Sequence, residues 1–383
     1  MNRCGIQKSS AACACAGAPC PGDNSHGQPV GTLIDLPGCP GFPEHEPGKT
    51  QFSQIAFSDA DRDTLAKALS SSPDPVAQFD VAVVSARAAA ASLPPAVLNA
   101  IRTWMFSPGA TGCLIVRNLP TDPTLPATPT HGQAAADKET FVSEGRLLTF
   151  GLLLGEPFGY AAERGGAIIH NSAPIPGKEN SPSSSGARRL LEAHTEFTAG
   201  RFQRVAPELL LLTFLRGDPQ AATLYADARA MYSRLTKRER AAARSVTFRT
   251  RIPESFSGNL GGGFSERIVS KPHPIFVGPE EDVEIIFDAS ATEAAGKDGR
   301  RVIRTIVDLL SDPEVFTPIV GGPGDLFLLN NRRGIHGRTA FAPLYNGTQR
   351  WPQRVYIISA GAIYDNRARF DPIRRIFTSI PLA

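Results

Sequence analysis

Beyond residue 39 the 383-residue chain holds a single cysteine, Cys113, whereas Cys4, Cys13, Cys15, Cys20 and Cys39 crowd the opening segment. A body this poor in cysteine has no disulfide framework and fits a reduced, cytoplasmic enzyme. The opening cysteines match no standard zinc-ligand spacing, and Cys13-Ala14-Cys15 is too tight for one. They read as incidental thiols in a Gly/Ser/Pro/Ala-rich, largely irregular segment over residues 1–50, with a zinc module the lesser alternative. No apolar run approaches the roughly 20 residues that span a bilayer, and the N-terminus lacks the continuous apolar core of a secretion signal. The net charge of +3 argues for neither nucleic acid nor a membrane surface. Internal repeats are missing, as is a phosphate-binding loop: Gly261-Gly262-Gly263 lacks the preceding strand and the Lys, and reads as a loop tip.

A soluble globular composition remains, 42% hydrophobic and 20% charged, in a chain long enough to bury a sizeable core. Helical periodicity begins after Ser58-Asp59-Ala60-Asp61 and resumes over residues 81–93. It returns over 96–106, where Val97, Ile101 and Trp104 share one face, and over 141–154, ending at Gly155-Glu156-Pro157. Two later helices are expected over 226–244 and 291–310. Short strands are expected over 111–117, 167–170, 208–215, 222–225, 246–248, 274–276, 284–287, 325–329, 334–336 and 354–359. Residues 119–138 are a Pro/Thr-rich connection. Many short strands with helices gathered toward the N-terminal half predict a mainly β fold, a sandwich or jelly roll with flanking helices, as one domain over 51–383.

The sequence is organised around Leu190-Leu191-Glu192-Ala193-His194-Thr195-Glu196. On a strand, residues two apart share a face, so His194 and Glu196 project together beside an apolar wall. An imidazole with a carboxylate is two-thirds of the facial triad that holds non-haem Fe(II) with positions open. A solvated pair at a strand end is the alternative. A third ligand is offered by His336, at the end of the expected strand 334–336 that follows the apolar run 325–329, and between Gly334 and Gly337; a core His bonded to a carbonyl would look the same. Arg350 and Arg354 follow. As surface charges they would be ordinary; turned inward, each guanidinium suits a carboxylate. The Ser-rich loop preceding the His-x-Glu strand, near residues 172–188, is placed as a lid.

His194-Thr195-Glu196, the tract Asn330-Asn331-Arg332-Arg333-Gly334-Ile335-His336-Gly337-Arg338, and Tyr345-Asn346-Gly347-Thr348-Gln349-Arg350-Trp351 with Arg354 resemble the clavaminate-synthase-like family over roughly residues 110–360. These are Fe(II)- and 2-oxoglutarate-dependent oxygenases that include asparagine, arginine and lysine hydroxylases. The resemblance implies a double-stranded β-helix (jelly roll) core, with His194, Glu196 and His336 as iron ligands and catalytic centre. It implies Arg350 on the far carboxylate of 2-oxoglutarate, assisted by Thr223. Arg354 would take the substrate carboxylate, Glu163 its amino group, and Asp288 its side chain. Two departures stand out: Phe197-Thr198-Ala199-Gly200 replaces the sequence that relatives acting on free basic amino acids tend to carry after the Glu, and Ser290 occupies the place of a second acid found in arginine hydroxylases. A buried cation short of one carboxylate is poorly paired, at a cost of several kcal/mol, which disfavours arginine.

The implied activity is hydroxylation of an unactivated C–H bond of an amino acid or a derivative. Dioxygen is the cosubstrate and 2-oxoglutarate is decarboxylated to succinate, in specialised metabolism such as antibiotic biosynthesis. Desaturation or cyclisation, action on a carrier- or peptide-bound substrate, and a non-catalytic jelly-roll binding module with a vestigial metal site are the alternatives. A small molecule is the expected partner, with neither nucleic acid nor membrane.

Overall fold

The computed structural model describes residues 52–252 and 269–379. The opening cysteines, the zinc alternative and Gly261-Gly262-Gly263 lie outside the described residues.

Two sheets face each other. The larger runs in the order β1 (Ser53–Ala56), β2 (Cys113–Arg117), β13 (Leu326–Asn330), β6 (Leu209–Arg216), β15 (Trp351–Ile358), β3 (Glu156–Tyr160), β17 (Ile376–Phe377) and β16 (Phe370–Asp371), with β4 (Ile169–Asn171) also paired to β15. The smaller is antiparallel, in the order β12 (Thr317–Ile319), β7 (Thr223–Asp227), β14 (Gly334–Arg338) and β5 (Leu191–His194). Short ladders join β8 (Phe248–Thr250) to β11 (Thr292–Ala294) and β9 (Phe276–Val277) to β10 (Glu284–Ile285). The architecture is mainly β with a minority of helix.

Period-two alternation sorts the strand residues into three apolar layers. Leu114, Val116, Leu209, Leu211, Val355 and Ile357 point outward from the large sheet, against Leu65, Trp104, Leu147 and Phe150 of the N-terminal helices. Their neighbours Cys113, Ile115, Leu210, Leu212 and Tyr356 point into the space between the sheets. Leu224, Ala226 and Ile335 leave the outer face of the small sheet and meet Val302 and Ile306 of the helix Gly296–Leu309. With both faces of each sheet covered by side chains, the space between them is the sheltered interior of the molecule.

The N-terminal helices form as their patterns dictate: α1 (Asp59–Leu69), α2 (Phe79–Ala90), α3 (Pro95–Phe106) and α4 (Val142–Leu154). Ser58 caps α1 by accepting from Asp61 N–H at 3.1 Å, and Pro95 opens α3, where its missing N–H costs nothing. No single helix among the described residues is long and apolar enough to cross a membrane.

Three expectations need correction. The helix expected over 226–244 is two short ones, Ala228–Ser233 and Lys237–Ala243. Asp227 caps the first, and Thr236 with Glu239 forms a reciprocal capping box that restarts the second. The helix expected over 291–310 begins only at Gly296, whose φ of 78° breaks the run, and β11 takes the preceding residues into a ladder. Glu156–Tyr160, read as a helix stop, is also a strand, with Phe158 and Tyr160 buried.

The Pro/Thr-rich connection is pinned rather than loose. Lys138 is buried and bonds Asp122 at 3.1 Å and Glu144 at 2.6 Å, while Asp122 also accepts from Val142 and Ser143 N–H at the start of α4. Removing the cation strands two buried carboxylates. Lys138→Met is therefore expected to lower stability by about 3 kcal/mol or more in urea unfolding; a loss under about 1 kcal/mol would show that the cluster does not anchor the connection.

Candidate active site

The small sheet lays out the centre of the site as a single row. His336 on β14 pairs with Tyr225 on one side and His194 on the other, and Asp288 bridges to His194 beyond. Directly opposed cross-strand residues share a face, roughly one strand spacing apart. The two imidazole centroids are accordingly 4.5 Å apart. The close approach of β14 to β5 requires glycine at 337, where a Cβ would lie 2.4 Å from Leu191 O. Glu196, two residues past His194, sends Oε1 to 3.5 Å from His336 Nε2 and 4.0 Å from His194 Nε2. One ligand atom from each of the three residues lies within 4.8 Å of the others.

Supporting groups set the orientation and charge of each donor. His194 Nδ1–H donates to Glu192 O at 2.7 Å, which leaves Nε2 as the free lone pair. Asn331 clamps the Glu196 peptide, accepting from its N–H at 2.6 Å and donating to its carbonyl at 2.9 Å. The chain then turns away through Phe197 at a left-handed φ of 46°. Burial alone would raise the Glu196 carboxyl, but Arg354, the hydrogen bond with His336 and the His194 charge together hold it well below the usual carboxylate range. Burial pushes His336 the other way, below its ordinary value, so it stays neutral. Two imidazoles and one ionised carboxylate on one side of a cavity fit a divalent ion of the Fe(II) type with positions left open.

A cavity of about 1350 Å³ opens from this centre, and all eight residues singled out in the sequence line it: His194, Glu196 and His336 with Glu163, Thr223, Asp288, Arg350 and Arg354. Alternation along β15 and the residues before it turns Arg350, Pro352, Arg354 and Tyr356 inward. Arg350 is buried with its guanidinium 5.5 Å from the centroid of the Phe214 ring, and among the described residues it donates no hydrogen bond. Burial, reinforced by nearby Arg338, pushes it down to about 9. An uncommitted buried cation is a demand for an anion. Thr223 is the cross-strand partner of Arg338 and faces the same cavity.

Arg354 is not free in this way. It donates from Nη2 to Glu163 Oε1 at 2.5 Å, from Nη1 to Glu196 Oε1 at 3.1 Å, and from Nε to His170 Nδ1 at 3.2 Å. His170 Nε2–H donates in turn to Ala167 O at 2.8 Å, and burial, then the Arg354 charge, hold the ring neutral. Glu163 keeps Oε2 buried and, among the described residues, without a hydrogen-bond partner. Asp288 is fixed by a chain of hydroxyls. Its N–H donates to Thr292 Oγ1, which lies 3.0 Å from Thr250 Oγ1, itself 3.0 Å from Nε2 of the buried His273.

Residues missing from the sequence reading are the ones that position others. Tyr356, whose hydroxyl donates to Glu196 Oε2 at 3.0 Å, stands two residues past Arg354 on the same strand. Arg338 stands two past His336 and donates to Gly186 O and Arg189 O. Period two would have placed both on the cavity face. His170, Asn331 and Arg164 carry no such signal. Arg164, at a left-handed φ of 47°, donates to Gly132 O, Asn171 O and the hydroxyls of Ser184 and Ser185, tying the loop near 172–188 over the cavity.

A family model described as "Taurine catabolism dioxygenase TauD, TfdA family" matches residues 111–356. L-lysine 3-hydroxylase of Catenulispora acidiphila is 30% identical over 277 residues, 72% of this chain and 75% of that protein. L-asparagine oxygenase of Streptomyces coelicolor is 29% identical over 280 residues, 72% of this chain and 80% of that protein. A solved asparagine oxygenase in complex with Fe(II), 2S,3S-3-hydroxyasparagine and succinate superposes with a TM-score of 0.74 at 25% identity, over 85% of this chain and 99% of that one.

If the His-Glu-His cluster is a metal centre, His336→Ala leaves two ligands and is expected to weaken Fe(II) binding at least 100-fold in anaerobic equilibrium dialysis, with the fold intact by circular dichroism. Unchanged iron uptake by that variant would refute the assignment.

Proposed function

The chain belongs to the TauD/TfdA dioxygenase family, and from that membership we propose that it is an Fe(II)- and 2-oxoglutarate-dependent hydroxylase of free amino acids. The observation that carries this reading is the Arg354–Glu163 pair, set in the same cavity as the His-Glu-His cluster and Arg350, which has no hydrogen-bond partner among the described residues. A zwitterion inserted between them exchanges one ion pair for two. Its carboxylate meets Arg354 and its ammonium meets Glu163, whose Oε2 already lacks a partner, with no change in net charge. A carrier-bound substrate has no free carboxylate, so its ammonium would draw Glu163 away from Arg354 and offer that guanidinium no anion in exchange. That favours the free amino acid over the tethered one.

In this reading His194, Glu196 and His336 hold the iron, and Arg350 with Thr223 grips the far carboxylate of 2-oxoglutarate. When bound, iron and 2-oxoglutarate supply oxidation of a C–H bond by dioxygen, coupled to decarboxylation of 2-oxoglutarate to succinate. The chain's own contribution is placement and exclusion of water. Arg354 and Glu163 fix the amino-acid head, Asp288 meets the side chain, and Tyr356 and Asn331 keep Glu196 aimed. Arg164 holds the loop near 172–188 across the mouth as a lid. We take the facing sheets as a double-stranded β-helix (jelly roll) and residues 51–383 as one domain. Cys113, free and buried, suits a reduced, cytoplasmic setting.

The decisive experiment is amino-acid-dependent release of succinate by the Fe(II)-loaded protein. Stimulation by free amino acids is expected; response only to carrier- or peptide-linked ones would overturn the reading. Arg350→Ala deletes a charge-assisted contact of about 3 kcal/mol, so the KM for 2-oxoglutarate should rise about 100-fold with the amino-acid KM little changed.

A further inference from the structure

Beyond the amino-acid head, the far wall of the cavity carries two opposite charges that do not pair with each other. Asp288 stands across from His194, so a group bonded to it lies beside the proposed metal centre. Ser290 N–H and its hydroxyl both donate to Asp288 Oδ1, at 2.8 and 2.7 Å, and among the described residues Oδ2 accepts no hydrogen bond. From the other side, Arg251 Nη2 donates to the carbonyl of the same Ser290 at 2.6 Å. Among the described residues the carboxylate paired with Arg251 is Glu293, 3.9 Å away and largely exposed, so that contact is weak and screened. Ser290 therefore acts as a spacer that presents one carboxylate oxygen and one guanidinium to the same space, and all three residues line the cavity.

We propose that Arg251 and Asp288, held on either side of Ser290, form a charge-balanced subsite for an amino-acid side chain that ends in a neutral carboxamide. The inference rests on the amino-acid reading above and narrows it. A carboxamide offers an NH2 donor and a carbonyl acceptor on one planar carbon, which match Asp288 Oδ2 and the Arg251 N–H groups that donate to no acceptor among the described residues. An ammonium or guanidinium gains the carboxylate but is pressed against Arg251 in a cavity whose basic side chains outnumber its acidic ones. The dication and the dianionic cosubstrate cancel, so loading the site does not remove that excess. A side-chain carboxylate meets the opposite conflict at Asp288. An apolar side chain covers the two half-buried charges without matching either. Arg251 thus stands as the element that excludes basic side chains, in a pocket where Ser290 supplies no second acid.

The test is a panel of L-asparagine, L-glutamine, L-lysine, L-ornithine, L-arginine, L-aspartate and L-leucine on the Fe(II)- and 2-oxoglutarate-loaded protein. It is read by succinate release and by anaerobic titration calorimetry. A carboxamide is expected to show a kcat/KM, and a binding constant, at least tenfold better than any other class. Arg251→Glu is expected to shrink or invert the ratio of carboxamide to basic amino acid by tenfold or more, with the milder Arg251→Gln moving it the same way. Best turnover of a basic, acidic or apolar amino acid overturns the subsite while leaving the amino-acid reading intact. A selectivity ratio unmoved in both Arg251 variants overturns the role of Arg251. Silence of every free amino acid in both assays overturns the subsite and the amino-acid reading together.

Discussion

The antiparallel pairing of His336 with His194 is the constraint on which the site depends. It is a backbone event, set by the ladder of the small sheet, yet it decides where two imidazoles from distant parts of the chain come to rest. Strand spacing brings them together without any attraction between the rings, which would repel if both were protonated. Glu196 completes the group because the strand keeps its alternation one step past its last ladder pair, and Asn331 then holds the peptide in place. The register also sets Asp288 next in the row. A shift by one residue would turn every one of these side chains to the other face of the sheet.

Around that row the cavity is an arrangement of cations with unequal commitments. Arg338 is spent on backbone carbonyls, Arg354 is shared among Glu163, Glu196 and His170, and Arg350 has no hydrogen-bond partner among the described residues. In a buried space those differences decide binding, because a guanidinium already neutralised gains little from a further anion and an isolated one gains much. The same reasoning separates Arg350, suited to one end of a dianion, from the Arg354–Glu163 pair, suited to a zwitterion.

A large share of the architecture was legible in the residues themselves. The helices α1 to α4 and the strands around 113–117, 209–216 and 326–330 follow directly from where apolar residues recur and where Ser58, Pro95 and Gly155 interrupt. The pattern misled where local signals were stronger than periodicity. Ala226 to Arg244 is rich in helix formers throughout, but Asp227 and Thr236 cap within it. Residues 292–294 look helical in isolation and become a strand because β8 offers an edge to pair with.

By itself, the sequence determined the chemistry on offer: two histidines and a glutamate with the right periodicity, two arginines four residues apart in the strand region 350–358, and a body that keeps a single cysteine. Residue type and spacing two are local properties, and a strand converts them directly into a shared face. Only the tertiary structure decided which of those groups are spoken for. That Arg354 leans on Glu163 and Glu196 while Arg350 lies over the Phe214 ring, and that Arg251 and Asp288 straddle Ser290, depends on which segments the sheets bring together. Hydrogen-bond partnership between residues far apart in the chain follows from strand register and from the closing of two sheets over a common space, and neither is written in any short stretch of residues.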